Sequence, residues 1–416
     1  MENKVNEAEI TFPSNNAVGK TFVNFDTELL AADSADYSHE LCVLSAQLMM
    51  LSYKIIPAGF DAPEAVNDGE GIFRALSLAG LDRTEHNTQT GRFEENYLFA
   101  SGKTVIGGEE KTLVFVSLIG SRLGQWYTNF DSGTGAVHKG FADAENFIYN
   151  NLKSFIAGAG AEKEDIKLLI TGHSRGAATA NLLAAQLIRE EDIAKKENIF
   201  TYTFATPSAT SLEERKAPEY KRIFNIVNDE DFVTKCMPEA WGYGRYGRTV
   251  VLPDKSNTEN YAEMLEKMNS YYSEFNPGDL YVPFKDGPAT VNKLYKAIVS
   301  ADKNIYEFCF RKFRCPKGQK MSVQSYFFRT LCAITGEIPG SKEAKDGTSY
   351  MLATTLLRAE SSPVIKAVAD FFVIYEGLAG ATDKKFSDTY FSYGHSMDTY
   401  CAFLIAAGED GLIFRD

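Results

Sequence analysis

The stretch that most constrains the fold is Lys167-Leu-Leu-Ile-Thr-Gly-His-Ser-Arg-Gly-Ala-Ala-Thr-Ala-Asn-Leu-Leu-Ala-Ala-Gln186. It reads as an apolar strand, a glycine-flanked serine and a helix of small residues. A serine hydroxyl becomes a useful nucleophile when it is exposed at a sharp strand-to-helix turn, beside a base and beside backbone N–H groups that can hold an oxyanion. Gly172 and Gly176 stand two residues either side of Ser174, where a Cβ would collide across such a turn. Ala177, Ala178 and Ala180 let the helix pack closely under a sheet. A bare G-x-S-x-G is common, but this strand-and-helix setting marks Ser174 as a candidate nucleophile.

The flanking pattern extends that unit into a sheet. Residues 97–106 and 111–119 read as two strands joined by Gly107-Gly108, and Thr112-Leu-Val-Phe-Val-Ser-Leu-Ile119 is nearly continuous apolar, as a strand buried on both faces should be. A helix over 141–156, the serine unit, and strands at 199–205 and 222–227 follow. This alternation predicts an α/β fold with a mostly parallel central sheet and a ligand site at the carboxyl ends of its strands. Residues 1–35 read as an irregular N-terminal segment, 36–252 as the α/β core beginning with helices from Ser38 and Glu70, 253–385 as a large helical insertion or cap, and 386–416 as a return to the core.

With 416 residues and a formal net charge of −13, the chain lacks the basic balance that phosphate binding requires, so nucleic acid is excluded as an expected partner. Residues 1–20 show neither a basic n-region nor an apolar h-region, so the expected location is cytoplasmic unless a leader precedes the sequence. Uninterrupted apolar runs are too short to span a bilayer. The six cysteines have no framework or zinc-ligand spacing, which predicts free thiols and no metal.

A serine elbow needs an acid and then a histidine further along the chain. Of five histidines, His39, His86 and His138 precede Ser174, and His173 adjoins it and is expected to point the other way, packing beside the strand. His395 alone fits, in a glycine turn that leads into an amphipathic helix. The acid should end a strand at the same edge, where Asp229, Glu230 and Asp231 follow Ile223-Phe-Asn-Ile-Val227 and spacing does not choose among them. For the oxyanion, the backbone N–H of Arg175 and a second donor at Ser121, after the buried strand ending at Ile119, are the candidates.

These residues resemble the class 3 lipase family, the fungal-lipase-like α/β-hydrolases. The resemblance rests on Thr171-Gly-His-Ser-Arg-Gly176, Ile119-Gly-Ser121, Val137-His-Lys-Gly-Phe141, Asn228-Asp-Glu-Asp-Phe-Val233 and Gly394-His395. It implies Asp231, in Asp231-Phe-Val233, as the acid, and an enzyme that cleaves carboxylic esters of lipids through an acyl-serine without a cofactor. A phospholipase A1, an acyltransferase or a catalytically weak lipid- or partner-binding protein are the alternatives. Three departures stand out. Arg175 replaces the family's common leucine, with a side chain expected at the site entrance or paired with an acid such as Asp229. The oxyanion strand lacks the usual arginine. Asp231 and His395 stand 164 positions apart, a span expected to form an acyl pocket and lid. Within it, Arg311-Lys-Phe-Arg314, Lys317 and Lys320 form a basic patch that could meet anionic headgroups at a transient lipid interface.

Overall fold

The computed structural model describes residues 6–14, 17–55, 69–88, 95–120, 135–283, 289, 291–292, 295, 312–314, 320–322 and 394–415. Its chain order is β1 (Glu7–Ser14), β2 (Ala17–Asn24), α1 (His39–Ser52), α2 (Glu70–Ser77), β3 (Arg83–Asn87), β4 (Asn96–Ile106) and β5 (Glu109–Ile119). Next come α3 (Lys139–Ala157), β6 (Ile166–His173), α4 (Arg175–Glu190), β7 (Ile199–Phe204), β8 (Ile223–Val227) and β9 (Arg248–Val251). The described part closes with α5 (Tyr261–Phe275), β10 (Lys312–Arg314), β11 (Lys320–Ser322), α6 (Met397–Ala407) and β12 (Ile413–Arg415).

Eight strands form one sheet in the order β12-β9-β8-β7-β6-β5-β4-β3. The five from β5 to β9 are parallel, while β3, β4 and β12 run antiparallel at the two edges. This is the expected α/β-hydrolase arrangement, with the carboxyl ends of β5, β6 and β8 on one side. The parallel strands are apolar because helices cover both of their faces. One face packs Leu113, Phe115, Leu169, Tyr202 and Phe224 against α1, α5 and α6. The other packs Val114, Val116, Leu168, Ile170 and Ile223 against α3 and α4. Burying one such large side chain stabilises the fold by about 1.5–3 kcal/mol. The β4–β5 turn pairs Ile106 with Glu109, and Gly107 and Gly108 have φ of 61° and 80°, the left-handed pair that a two-residue hairpin needs.

The N-terminal segment differs from expectation. Glu7–Ser14 and Ala17–Asn24 are an antiparallel hairpin in full register, from Glu7 opposite Asn24 to Ser14 opposite Ala17. Ile10 and Phe12 are buried under it, but the second strand turns Gly19, Thr21 and Val23 inward and leaves Val18 and Phe22 exposed, so polarity does not alternate as its pleat does. Within 253–385, α5 is helical as expected, and 312–314 pairs antiparallel with 320–322, setting Arg314 opposite Lys320. Most of the helical insertion expected over 253–385, and Arg311 and Lys317 of the basic patch, lie outside the described residues. Among the described residues, no helix is long and apolar enough to cross a membrane.

Candidate active site

Ser174 sits between β6 and α4 with φ 58° and ψ −124°, a conformation that side-chain-bearing residues avoid and that a nucleophile elbow stores as strain. Its flanking glycines are required by contact. A Cβ on Gly172 would lie 2.4 Å from the carbonyl oxygen of Gly176, across the turn. One on Gly176 would lie 2.1 Å from the carbonyl oxygen of Leu118 on the neighbouring strand. The first turn of α4 therefore rests directly on the end of β5.

Three candidate side chains come together at this edge. Ser174 Oγ lies 2.9 Å from His395 Nε2, and His395 Nδ1 lies 2.8 Å from Asp231 Oδ2. Asp231 is buried and begins a short helical turn, its Oδ1 accepting the Val233 N–H at 2.9 Å. A second donor, Tyr400 Oη, reaches Oδ2 at 2.9 Å. His395 stands just before α6, whose first turn is capped by Ser396 Oγ accepting the Asp398 N–H. The turn is tied to the end of β8 by Asn228, which donates from Nδ2 to the Gly394 carbonyl at 3.1 Å and from its backbone N–H to Tyr400 Oη at 3.0 Å.

The neighbouring carboxylates are otherwise engaged. Glu230 accepts from Tyr281 Oη at 2.9 Å. Asp229 pairs with Lys235 at 2.6 Å and Arg415 at 3.0 Å. Burial raises the Asp229 carboxyl, but these two cations outweigh it and hold it below its usual range.

Arg175 pairs with an acid, as one of its two expected placements had it, but the acid is Glu95 and not Asp229. Its side chain is buried, donating from Nε to Glu95 Oε2 at 2.9 Å and from Nη2 to the Gly140 carbonyl at 3.2 Å, with its guanidinium over the Phe141 ring. It ties the first turn of α4 to the starts of β4 and α3. Burial pushes the Glu95 carboxyl up, against the pull of Arg175. Arg175 is the first residue of α4, directly after Ser174, so its backbone N–H lies at the positive end of the helix dipole. Ser121 lies outside the described residues.

His173 also departs from expectation. Its ring turns toward His395, with centroids 4.8 Å apart, and it bonds Tyr53 Oη through Nδ1 at 2.6 Å and the His395 carbonyl through Nε2 at 2.8 Å. Tyr53 and Tyr400 carried no sequence signal, because their partners lie far along the chain, and Asn228 stood in the acid motif without a role of its own.

Comparison with known families follows the same residues. The family model described as Lipase (class 3) matches residues 106–241, which hold β5, the serine elbow and the Asp231 turn. Over that stretch the chain resembles class 3, fungal-lipase-like proteins. A lipase of Rhizomucor miehei is 29% identical over 164 residues, covering 36% of this chain and 44% of the relative. A secreted mono- and diacylglycerol lipase of Fusarium solani is 28% identical over 148 residues, covering 31% and 41%. The chain thus spans less than half the length of these relatives. A solved structure of Rhizomucor miehei triacylglyceride lipase is similar with 23% identity and a TM-score of 0.36, covering 52% of this chain and 79% of that one.

The match to a lipase that is by name secreted overturns the expected cytoplasmic location. Cys42 and Cys401 are fully buried free thiols, and burial pushes the Cys42 thiol up to about 12. Among the described residues, no group of three or more His, Cys, Asp or Glu could hold a metal.

Proposed function

We propose that this protein is a serine hydrolase of lipid carboxylic esters, acting outside the cell through an acyl-serine intermediate. The observation that carries the reading is the continuous line Ser174 Oγ, His395 Nε2, His395 Nδ1, Asp231 Oδ2, with the serine held at positive φ. His395 Nε2 accepts the serine proton as Oγ attacks the ester carbonyl. Asp231 orients the ring through its Nδ1–H and stabilises the imidazolium that forms. The backbone N–H of Arg175, with that of Ser121, receives the oxyanion, and each such donor contributes about 100- to 1000-fold in rate. His395 then protonates the departing alkoxide, and a water deprotonated by the same ring releases the acid.

Similarity to lipases and to an acylglycerol lipase supports a lipid ester as substrate. Two departures favour a catalytically weak relative, Arg175 and the missing arginine of the oxyanion strand, and the first loses weight because the Arg175 side chain pairs with Glu95. The test is Ser174→Ala. It is expected to abolish p-nitrophenyl ester hydrolysis and covalent labelling by a fluorophosphonate while the protein still unfolds cooperatively. Undiminished turnover in that variant would sink the assignment.

A further inference from the structure

We propose that Tyr53 and His173 are positioning residues that hold the main chain of His395 and the strand end at Gly120 in fixed relation to Ser174. The proposal rests on the hydrolase reading above and adds residues that the reaction itself does not use.

The directions of the hydrogen bonds follow from what each atom can do. A carbonyl oxygen can only accept, so the 2.8 Å contact between His173 Nε2 and the His395 carbonyl places a proton on Nε2. Burial and the adjacent His395 ring hold the His173 imidazole well below its usual range, so it is neutral and its Nδ1 is an acceptor. Tyr53 Oη, 2.6 Å away, is the donor to that nitrogen, and burial keeps its proton in place. The lone pairs of the same oxygen receive the Gly120 N–H at 3.0 Å. One directed chain results: Gly120 N–H to Tyr53 Oη, Tyr53 O–H to His173 Nδ1, His173 Nε2–H to the carbonyl of His395.

Both ends of this chain are backbone groups next to reacting atoms. Gly120 immediately precedes Ser121 and is wedged at the elbow, where a Cβ would lie 2.4 Å from Tyr53 Oη and 3.1 Å from Ser174 Cβ. Its N–H is taken by Tyr53 and is not offered to the oxyanion. At the other end, the His395 carbonyl anchors the residue whose ring faces the serine. Tyr53 follows α1 and His173 ends β6, so the chain ties a helix, two strand ends and the His395 turn together. A catalytic group displaced by about 1 Å can lose about 100-fold in rate, which is the scale on which such a tie matters.

The experiment compares wild type with Tyr53→Phe, His173→Gln and His173→Leu, using a short soluble p-nitrophenyl ester. Rates are normalised to sites titrated with fluorophosphonate, so that loss of folded protein does not count as loss of rate. Tyr53→Phe is expected to lower kcat about 10- to 100-fold with KM within about twofold. His173→Gln keeps an N–H donor for the His395 carbonyl and is expected to retain more kcat than His173→Leu. An unchanged kcat in both Tyr53→Phe and His173→Leu overturns the proposal, as does His173→Gln falling to the level of His173→Leu. A second measurement does not depend on turnover. In protein labelled with 15N-histidine, His173 is expected as the neutral Nε2–H tautomer, and Tyr53→Phe is expected to shift the ring resonances of both His173 and His395. A His173 Nδ1–H tautomer, or a His395 signal indifferent to Tyr53→Phe, overturns the relay. Wild-type protein that neither turns over esters nor labels at Ser174 refutes the hydrolase reading instead, and leaves the tautomer result to decide the relay on its own.

Discussion

Tyr400 and Asp231 share a hydrogen bond of 2.9 Å at the same carboxylate oxygen, Oδ2, that His395 approaches through Nδ1 at 2.8 Å. The phenol is buried in the first turns of α6, the helix that begins just after His395, so one element delivers both the base and a donor to its acid. Burial, reinforced by the Asp231 charge, holds the phenol well above its ordinary range, so it stays protonated and donates. Tyr400→Phe removes this donor and also strips the Asn228 N–H of its acceptor at 3.0 Å. Leaving buried polar groups unpaired costs about 1–3 kcal/mol each, and a loss of that size is expected in urea unfolding, together with a reduced kcat. A variant as stable as wild type would mean that water replaces the hydroxyl.

The buried pair Arg175–Glu95 makes a prediction in two steps. Their side chains are 2% and 0% exposed, and the guanidinium group engages Glu95, Gly140 and Phe141. Arg175→Leu alone leaves a carboxyl buried without its cation and is expected to cost about 3–5 kcal/mol. Arg175→Leu with Glu95→Leu removes both charges, and is expected to recover most of that stability and to keep turnover per folded molecule within a few-fold of wild type. Denaturant titration and site-normalised kcat check the two parts. A folded but inactive double variant would assign the Arg175 side chain a part in the reaction.

Glu145 on α3 gives a pH dependence. Burial, with the charge of Glu190 and against that of Arg189, pushes its carboxyl up to about 7 from an ordinary 4.5. A carboxyl whose pKa is raised on folding favours the folded state while it is protonated. That contribution is fully present below about 4.5 and is lost as the pH rises to about 7. Glu145→Gln is therefore expected to match wild type near pH 4 and to exceed it at pH 8 by on the order of 2 kcal/mol, read by urea unfolding at both values. An equal gain at both would assign the effect to packing.

Much of the core was legible because its signals are local. The apolar strand, the glycines and the alanine helix occupy twenty consecutive positions, 167–186, and the order along the chain singles out His395. Spacing could not separate Asp229, Glu230 and Asp231, because their partners are remote: Arg415, Tyr281 and Tyr400 are each supplied by a different later segment. His173 was misplaced for a conformational reason. Alternation along β6 sets adjacent side chains on opposite faces, but at φ 58° Ser174 leaves the strand geometry, and the rule stops at His173. Strand β3, Arg-Thr-Glu-His-Asn, escaped because an exposed edge strand needs no apolar residue, and β12 because three residues carry no period.

Asn228 offers the sharpest test of how the His395 turn is held. Its amide makes two bonds of opposite sense, Nδ2–H to the Gly394 carbonyl at 3.1 Å and Oδ1 from the Glu230 N–H at 3.0 Å. Asn228→Asp preserves the acceptor and the shape but sets an oxygen against the Gly394 carbonyl, so it attacks the turn and spares the β8 end. The expected outcome is a fall in kcat/KM and in the rate of fluorophosphonate labelling of about 100-fold, from a base that no longer faces Ser174 reliably. Asn228→Ala removes both bonds without introducing repulsion. Its labelling rate is expected to fall less than that of Asn228→Asp, although it loses one more hydrogen bond. The reverse order would mean that the Glu230 N–H bond, and through it the Asp231 turn, governs the site more than the tether to Gly394 does.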